Sequence, residues 1–402
     1  MDIHLVIIVC ATLMLLYGCI SSVFETHFLT GPMIFSLSGI GLSYCVDDYL
    51  GLAIHTEVIR FIAEITLIIV LFIDASEIKH KNLKHSDGHV AIRLLAIGLP
   101  LTALTGVIVG SWVFDSLSLA VITLIALMLT PTDAALGQSL IKSEKLKTHV
   151  KQNINVESGL NDGVVLPPII ICIAAISGEI GNSSETTWAM FVLTQLILGP
   201  LVGGCIGWFG GKLIEHAVHR NWMAPLYQSI CALALPLLAY SCAEIVHGNG
   251  FIAAFVCGYL FGVRDRGVRV KMQQFGEAEG QQLTLFVFLL FGFVMVPIAS
   301  EFWDGKAVIY AILSLTLVRM IPVFISLVAS RAPWQEQLIY AWFGPRGIAS
   351  ILYLLMFISM VGFEGYQYPV SVIILTVLMS IFLHGLTALP IAQWYKKSIT
   401  RH

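Results

Sequence analysis

The pattern of apolar and polar positions divides the chain into long apolar runs joined by short polar segments. A helix needs about 20 apolar residues to cross a bilayer core of about 30 Å. Thirteen runs approach that length, and the predicted spans are 3–22, 28–46, 56–77, 90–113, 117–139, 153–177, 187–211, 222–244, 249–264, 281–299, 305–329, 336–361 and 368–394. The pattern therefore predicts an all-α polytopic membrane protein with about thirteen transmembrane helices.

Composition and charge agree with a membrane protein. Of the 402 residues, 57% are apolar and 12% are charged, whereas soluble proteins carry about 25% charged residues. Most basic residues fall in segments that follow every second span, namely 78–93, 141–151, 212–220, 264–271, 331 and the last residues of the chain. Because basic loops stay in the cytoplasm, we expect the N-terminus outside and the C-terminus in the cytoplasm. The first run has no basic segment before it and is expected to be retained as a span.

Two apolar runs contain helix-breaking residues. Span 117–139 contains the sequence TPTD at 130–133, and span 336–361 contains FGPRG at 343–347. Proline removes a backbone donor and clashes with the preceding turn, and irregular backbone at membrane depth is tolerated only where it is buried in protein or lines a cavity. We expect Asp133 and Arg346 to compensate the partial charges at the free helix ends.

The positions of the two interrupted spans also carry information. They are seven spans apart, and repeats with an odd offset have opposite orientations in the membrane. A matching pair of broken helices in two inverted halves is the sequence sign of a transporter with its binding site at the midplane.

Span 153–177 carries two carboxylates, Glu157 and Asp162, in an otherwise apolar segment. Ser158 and Asp162 are four residues apart and share a helix face, while Glu157 and Asn161 lie one step round the helix. We expect Glu157 to face a neighbouring helix and to pair with Arg319, because an unpaired buried charge is very costly.

Asp162 is left without an assigned arginine. A proton and a small cation can each neutralise this carboxylate, so the two compete for one group. Asp133, Thr132 and Ser158 would supply further oxygen ligands, of the kind that sodium binds at broken helices. Asp74, a third acidic residue at the end of span 56–77, is expected to pair with the basic segment that follows it.

Other classes of function fit the residues less well. A cation channel would build rings of carbonyls or charges around an oligomer axis, whereas two interrupted helices in one chain favour alternating access. An intramembrane aspartyl protease would need two Gly-Asp-type helices around Asp133 and Asp162, and the chain does not provide them. The eight cysteines have no CxxC or Cys/His spacing, so no structural zinc or disulfide framework is expected. We therefore expect that the protein is not an enzyme and binds no cofactor. Because the chain has no long basic tail, we expect no nucleic-acid partner.

The sequences TPTDAALG, NVESGLNDG, FGPRG and HGLTALP occur in this order along the chain. Together they resemble the NhaP-type bacterial members of the monovalent cation–proton antiporter family, and GNGFIAAFVCGYLFG (248–262) resembles the glycine-rich span of that family. The resemblance implies an NhaA-like fold in a bacterial plasma membrane, with inverted repeats. It implies a homodimer in which a core bundle, about 90–177 and 305–394, moves against a dimerisation bundle, about 1–77 and 187–299.

The resemblance also implies the function and the roles of single residues. It implies exchange of Na⁺ or Li⁺ for H⁺ by alternating access, with Asp162 as the shared site. The accessory ligands are Asp133, Thr132 and Ser158, and Asn161 positions the site. Glu157 and Arg319 form a structural ion pair, and Arg346 lies by the broken helix.

Two residues bear on the stoichiometry of exchange and on the choice of cation. Asn161 stands where electrogenic relatives carry a second aspartate, which implies electroneutral one-for-one exchange. Ala134 stands where many relatives have proline, which leaves K⁺/H⁺ exchange open as the alternative. The chain ends soon after the last predicted span, so we expect no cytoplasmic regulatory domain.

Overall fold

The computed structural model describes residues 3–25, 29–45, 56–78, 88–137, 140, 145–177, 185–261, 266–328, 330 and 332–399. Within these ranges all regular secondary structure is helical. Most of the predicted basic segment 78–93, much of 141–151, and Arg264 and Arg331 lie outside the described residues.

The described helices follow one another along the whole chain. In the first half they are α1 (Ile3–Glu25), α2 (Gly31–Ser43), α3 (Thr56–Ser76), α4 (Gly88–Arg93), a π-helical turn (Leu94–Gly98), α5 (Leu99–Val113), α6 (Leu119–Met128), a 3₁₀ turn (Ala134–Gly137) and α7 (Thr148–Ile176). In the second half they are α8 (Glu185–His219), α9 (Pro225–Ile245), α10 (Gly250–Tyr259), α11 (Arg266–Leu290), a π-helical turn (Phe291–Met295), α12 (Val296–Ser300), α13 (Gly305–Leu315), α14 (Leu317–Leu327), α15 (Trp334–Trp342), α16 (Ile348–Val361) and α17 (Gln367–Ile399).

Every predicted span overlaps one or more of these helices. Among the described residues, seven helices are long and apolar enough to cross a membrane by length and composition, so the total of thirteen spans stays a prediction. Helix α7 begins five residues before its predicted span, and α8 continues to His219, eight residues past its own. A hydrophobic run marks only the part of a helix that suits lipid, and backbone hydrogen bonding carries the helix on into polar sequence.

Glycines let α10 pack closely between α7 and α8. A Cβ atom added to Gly159 or Gly163 of α7 would lie 2.1–2.2 Å from the side chains of Phe255 and Ile252 on α10. On the other side, a Cβ at Gly203 of α8 would lie 2.1 Å from the backbone of α10. Small residues at such contacts let helix backbones approach, which is the usual way that helices associate in membranes.

Asn249 fixes the start of α10 against α7. Its Oδ1 accepts from the amide of Ile252 at 3.0 Å, as an N-cap does. Its Nδ2 donates to the carbonyl of Gly163 at 3.0 Å. This contact holds α7 in place at Gly163, the residue that follows Asp162.

Candidate functional site

The first interruption follows α6. Thr130 Oγ1 donates to the carbonyl of Ala126 at 2.7 Å, and Pro131 has no amide hydrogen with which to continue the helix. The chain resumes as a single 3₁₀ turn, Ala134–Gly137. The backbone groups of 130–133 therefore need partners elsewhere, because an unpaired buried backbone group is costly.

The second interruption, 343–347, separates α15 from α16 and supplies some of those partners. The amide of Asp133 donates to the carbonyl of Pro345 at 2.8 Å. In return, Asp133 Oδ2 accepts from the amide of Ile348, the first residue of α16, at 2.8 Å. A carboxylate at a helix N-terminus is favoured by the helix dipole. Gly347 makes this contact possible, since a Cβ there would lie 1.9 Å from Asp133 Oδ2.

Arg346 bonds backbone carbonyls at the start of the first interruption. Its Nη1 donates to the carbonyls of Thr130 at 2.6 Å and Pro131 at 3.0 Å, just past the C-terminus of α6. The side chain is fully buried. Ser350 adds a third link, because its Oγ donates to the carbonyl of Met128 at 2.8 Å. Each interruption thus supplies a charged side chain that bonds free groups of the other.

Helix α7 meets the first interruption through two polar side chains. Ser158 Oγ donates to the carbonyl of Thr132 at 2.6 Å and accepts from the amide of Ala134 at 2.8 Å. Asn161 Nδ2 donates to Thr132 Oγ1 at 2.7 Å. Asn161, predicted to lie one step round the helix from Ser158, thus contacts the same residue, because residues three apart on a helix also share a face.

Glu157 and Arg319 form a buried ion pair. Arg319 Nη2 lies 2.5 Å from Glu157 Oε1, and both residues are about 1% exposed. The same nitrogen donates to the carbonyl of Tyr340 on α15 at 3.3 Å. The pair therefore joins α7 and α14 to the helix that precedes the second interruption.

Asp162 differs from Glu157 in its partners. Its side chain is 3% exposed, and its Oδ1 is buried without a hydrogen-bond partner. The neighbouring Asn161 Oδ1 is buried without a partner as well. The backbone of Asp162 is held by Tyr353 of α16, whose hydroxyl donates to its carbonyl at 2.6 Å. Two adjacent residues of α7 thus carry side-chain oxygens without partners, and one of them, Asn161, contacts the first interruption.

A family comparison decides what kind of membrane protein carries this arrangement. The model of a family described as "Sodium/hydrogen exchanger, transmembrane" matches residues 8–394. The chain belongs to the sodium/hydrogen exchanger family. It is thus a multi-pass membrane protein from a family of transporters, which agrees with the seven long apolar helices among the described residues.

Some curated relatives are named K(+)/H(+) antiporters, and another is named a Na(+)/H(+) antiporter. The chain is 23% identical over 351 residues to the "K(+)/H(+) antiporter NhaP" of Alkalimonas amylolytica, covering 86% of this chain and 59% of that protein. It is 26% identical over 316 residues to the "K(+)/H(+) antiporter NhaP2" of Shewanella sp. strain MR-4, covering 76% and 52%. It is also 22% identical over 376 residues to the "Na(+)/H(+) antiporter" of Schizosaccharomyces pombe, covering 87% and 78%. The chain therefore spans only a little over half the length of the two K(+)/H(+) relatives.

The fold of this family member is similar to a solved structure over almost its whole length. The sodium proton antiporter MjNhaP1 from Methanocaldococcus jannaschii, at pH 8, matches with a TM-score of 0.79 and 19% identity. The match covers 98% of this chain and 100% of the other. It confirms the predicted all-helical antiporter fold.

No role in the site was predicted for Asp74 or Tyr353. The predicted pairing of Asp74 of α3 with the basic segment that follows it stays a prediction. Most of that basic segment lies outside the described residues. Tyr353 gave no signal beyond a single hydroxyl in an apolar span, so only the packing of α16 on α7 reveals its contact.

Proposed function

We propose that this chain exchanges Na⁺ or Li⁺ for H⁺ across the membrane by alternating access, in an electroneutral one-for-one cycle. The observation that carries the proposal is Asp162, whose Oδ1 is buried in a membrane helix without a hydrogen-bond partner. Intramembrane carboxylates are expensive and mark ion pathways and proton relays. Such a group needs a proton or a cation in each state of the cycle.

The surroundings of Asp162 suit a small hard cation. Asn161 Oδ1 is a second oxygen without a partner. Ser158 Oγ accepts one hydrogen bond, from Ala134, and a hydroxyl oxygen has a second lone pair to offer. Thr132 and Asp133 contribute further oxygens at the interruption itself. In this proposal Asp162, Asp133, Thr132 and Ser158 ligate the ion, and Asn161 sets the position of Thr132 through its amide.

Competition between the two ions couples their movements. A cation near Asp162 favours the charged carboxylate, and a proton on that carboxylate removes the charge that holds the cation. Asn161 brings no charge of its own, so one proton leaves for each cation that binds. Thr132, Asp133, Ser158 and Pro345 pack without space for a water molecule between them. A cation therefore requires a small opening of this region, as alternating access provides.

The larger assembly follows the same proposal. A core bundle, about 90–177 and 305–394, moves against a dimerisation bundle, about 1–77 and 187–299, in a homodimer within the lipid of a bacterial plasma membrane. The N-terminus lies outside and the C-terminus in the cytoplasm. The contacts of α10 with Gly159 and Gly163 of α7 lie on the boundary between these bundles. Protons and monovalent cations are the only substrates, and no covalent reaction and no cofactor are involved.

The test is an exchange assay with purified protein in liposomes that carry a proton gradient and a fluorescent pH reporter. Addition of Na⁺ or Li⁺ should dissipate the gradient, and K⁺ is included because two of the relatives are named K(+)/H(+) antiporters. Asp162→Asn should abolish the signal. Asp115→Asn is the matched control, because Asp115 lies in an exposed loop and pairs with Lys306.

Each result of this assay has a clear meaning. A response to K⁺ alone would replace sodium exchange by the potassium alternative. No response of the wild-type protein to any of the three cations would disprove antiport. Exchange that survives in Asp162→Asn would remove Asp162 from the mechanism. Repeating the assay with a clamped membrane potential tests the one-for-one stoichiometry, because electroneutral exchange does not respond to the potential.

A further inference from the structure

Helix α17 contacts both ends of the second interruption through two side chains. Ser380 Oγ accepts from the amide of Arg346 at 2.7 Å. One turn later, His384 Nε2 lies 3.1 Å from the carbonyl of Trp342, the last residue of α15. The two side chains also meet each other, with Ser380 Oγ and His384 Nδ1 3.1 Å apart. Ser380 and His384 are 0% and 1% exposed, so this arrangement is shielded from bulk solvent.

The partners define the direction of each hydrogen bond. A carbonyl only accepts, so His384 Nε2 carries a hydrogen and donates to Trp342. The Ser380 hydroxyl accepts from Arg346 and keeps its own hydrogen, which it donates to His384 Nδ1. The carbonyl of Ser380 also lies 3.1 Å from Nδ1, but the helical pattern pairs that carbonyl with the amide of His384. A single neutral tautomer thus satisfies the whole set.

We propose that Ser380 and His384 are positioning residues that hold the second interruption in the geometry needed by the cation site. The pair fixes the backbone at Trp342 and at Arg346, which lie on either side of Gly344 and Pro345. This proposal rests on the proposed function, because it assigns α17 a part in cation binding at Asp162.

A chain of contacts leads from this clamp to the site. The amide that Ser380 holds belongs to Arg346, whose guanidinium donates to the carbonyls of Thr130 and Pro131. The next residue, Thr132, accepts from Asn161 and Ser158 on α7. Asn161 directly precedes Asp162. A displacement of Arg346 therefore reaches Asn161 through the bonds of the guanidinium to Thr130 and Pro131 and the bond between Asn161 and Thr132.

A histidine that only fills space would not need these bonds. The ring of His384 does pack against Trp342 and Phe343, with centroids 5.6 and 6.2 Å apart. Packing alone, however, would not require Nε2 to lie within hydrogen-bond distance of the carbonyl of Trp342, and it would leave the hydroxyl hydrogen of Ser380 to find another acceptor. Ser371 on the same helix shows the contrasting case. It is fully buried too, but its Oγ donates only to the carbonyl of Tyr368 in its own helix turn, at 2.8 Å.

The test uses four variants, Ser380→Ala, His384→Asn, His384→Gln and the control Ser371→Ala. Glutamine can place a donor near the position of Nε2, whereas asparagine reaches only the position of Nδ1. For each variant, apparent KM for Na⁺ and Vmax are measured in liposomes. The Na⁺ concentration that half-maximally raises the Tm of the detergent-purified protein provides a second readout of binding.

We expect Ser380→Ala and His384→Asn to raise the apparent KM about fivefold to tenfold, the size expected for one lost hydrogen bond. The half-maximal Na⁺ concentration should rise by the same factor. His384→Gln should restore most of the affinity, and Ser371→Ala should leave both values unchanged.

Three outcomes would overturn the proposal. One is a lower Tm in Ser380→Ala and His384→Asn with unchanged KM and Na⁺ midpoint, which would make the pair purely structural. Another is an equal effect of Ser371→Ala. If Ser380→Ala does not fold, equal KM values in His384→Asn and His384→Gln would be decisive against it. Failure of the underlying function is distinguishable, because the wild-type protein would then show no exchange.

Discussion

The two interrupted helices look alike in sequence but differ in what surrounds them. Around the first interruption, Thr132 bonds Ser158 and Asn161 of α7, next to the unpartnered oxygen of Asp162. Around the second, the free groups are bonded by Asp133 from the first interruption and by Ser380 and His384 from α17. The first interruption thus faces the candidate cation site, and the second faces protein that supports it.

This difference shows how interrupted helices can be stable inside a membrane. Unpaired backbone groups in hydrocarbon cost several kcal/mol each, and membrane proteins keep such segments only where the groups are satisfied internally. Here each interruption contributes one charged side chain to the other: Asp133 bonds the amide of Ile348, and Arg346 bonds the carbonyls of Thr130 and Pro131. The remaining polar side chains of the first interruption can then serve a ligand. We therefore expect changes in the second interruption to reduce stability as well as cation affinity, and changes in the first to act mainly on cation affinity.

The largest effect should come from Gly347→Ala, which attacks the contact between the two interruptions. The new Cβ would lie 1.9 Å from Asp133 Oδ2 and 2.7 Å from its Cγ, so Asp133 must leave the amide of Ile348. Overpacking and the loss of a helix cap together should destabilise the protein by about 3 kcal/mol. Thermal unfolding in detergent measures this loss.

Gly41→Ala is the control for this prediction. Gly41 lies in α2, and a Cβ there has no atom within 4 Å. Because alanine is the better helix former, Gly41→Ala should leave Tm unchanged or raise it slightly. Equal Tm values for the two alanine variants would mean that the Asp133 contact adds nothing to stability.

A smaller effect, of a different kind, should come from Thr132→Val in the first interruption. Valine has nearly the shape of threonine but removes the hydroxyl that accepts from Asn161 at 2.7 Å. Stability should fall by about 1 kcal/mol, while the apparent KM for Na⁺ should rise about tenfold because a ligand and the position of Asn161 are both lost. The exchange assay and thermal unfolding measure the two quantities on the same sample.

Thr376→Val of α17 provides the matched comparison. Thr376 is fully buried, and its Oγ1 donates only to the carbonyl of Val372 at 2.8 Å in its own helix. It should lose little stability and no affinity. A Thr132→Val protein with normal KM would remove Thr132 from the cation ligands and weaken the distinction between the interruptions.

The sequence allowed the interruptions to be predicted but not most of their partners. Proline and glycine act on their own backbone, so the breaks at Pro131 and at 344–347 can be located from local rules. The bond from Asp133 to Ile348 joins residues 215 positions apart, and the bond from Tyr353 to Asp162 joins residues 191 apart. No periodicity along the chain encodes which serine or tyrosine crosses to which carbonyl.

The same reason explains why the face of α7 toward Thr132 was not fully predicted. The four-residue spacing of Ser158 and Asp162 is real, but the three-residue spacing of Ser158 and Asn161 proved to define the face toward Thr132. Local spacing allows several faces of a helix to be the one in contact. Packing against the neighbouring helices determines which face it is.

The smallest effect should come from Lys306→Gln, which breaks the exposed contact between Lys306 and Asp115 at 2.7 Å. This ion pair joins the loop after α5 to the start of α13, and the side chains of Lys306 and Asp115 are 52% and 78% exposed. Lys306 lowers the pKa of Asp115, first by a hydrogen bond and then by its charge. Any stabilisation from the pair is therefore present above the pKa of the unfolded Asp115 and is lost as pH falls through the lower pKa of the folded state.

Because water and salt screen such a pair, we expect Lys306→Gln to leave Tm at neutral pH and the apparent KM for Na⁺ unchanged. A clear loss of either would show that contacts on the membrane surface, and not only the buried bonds between the interruptions, set the geometry of the site.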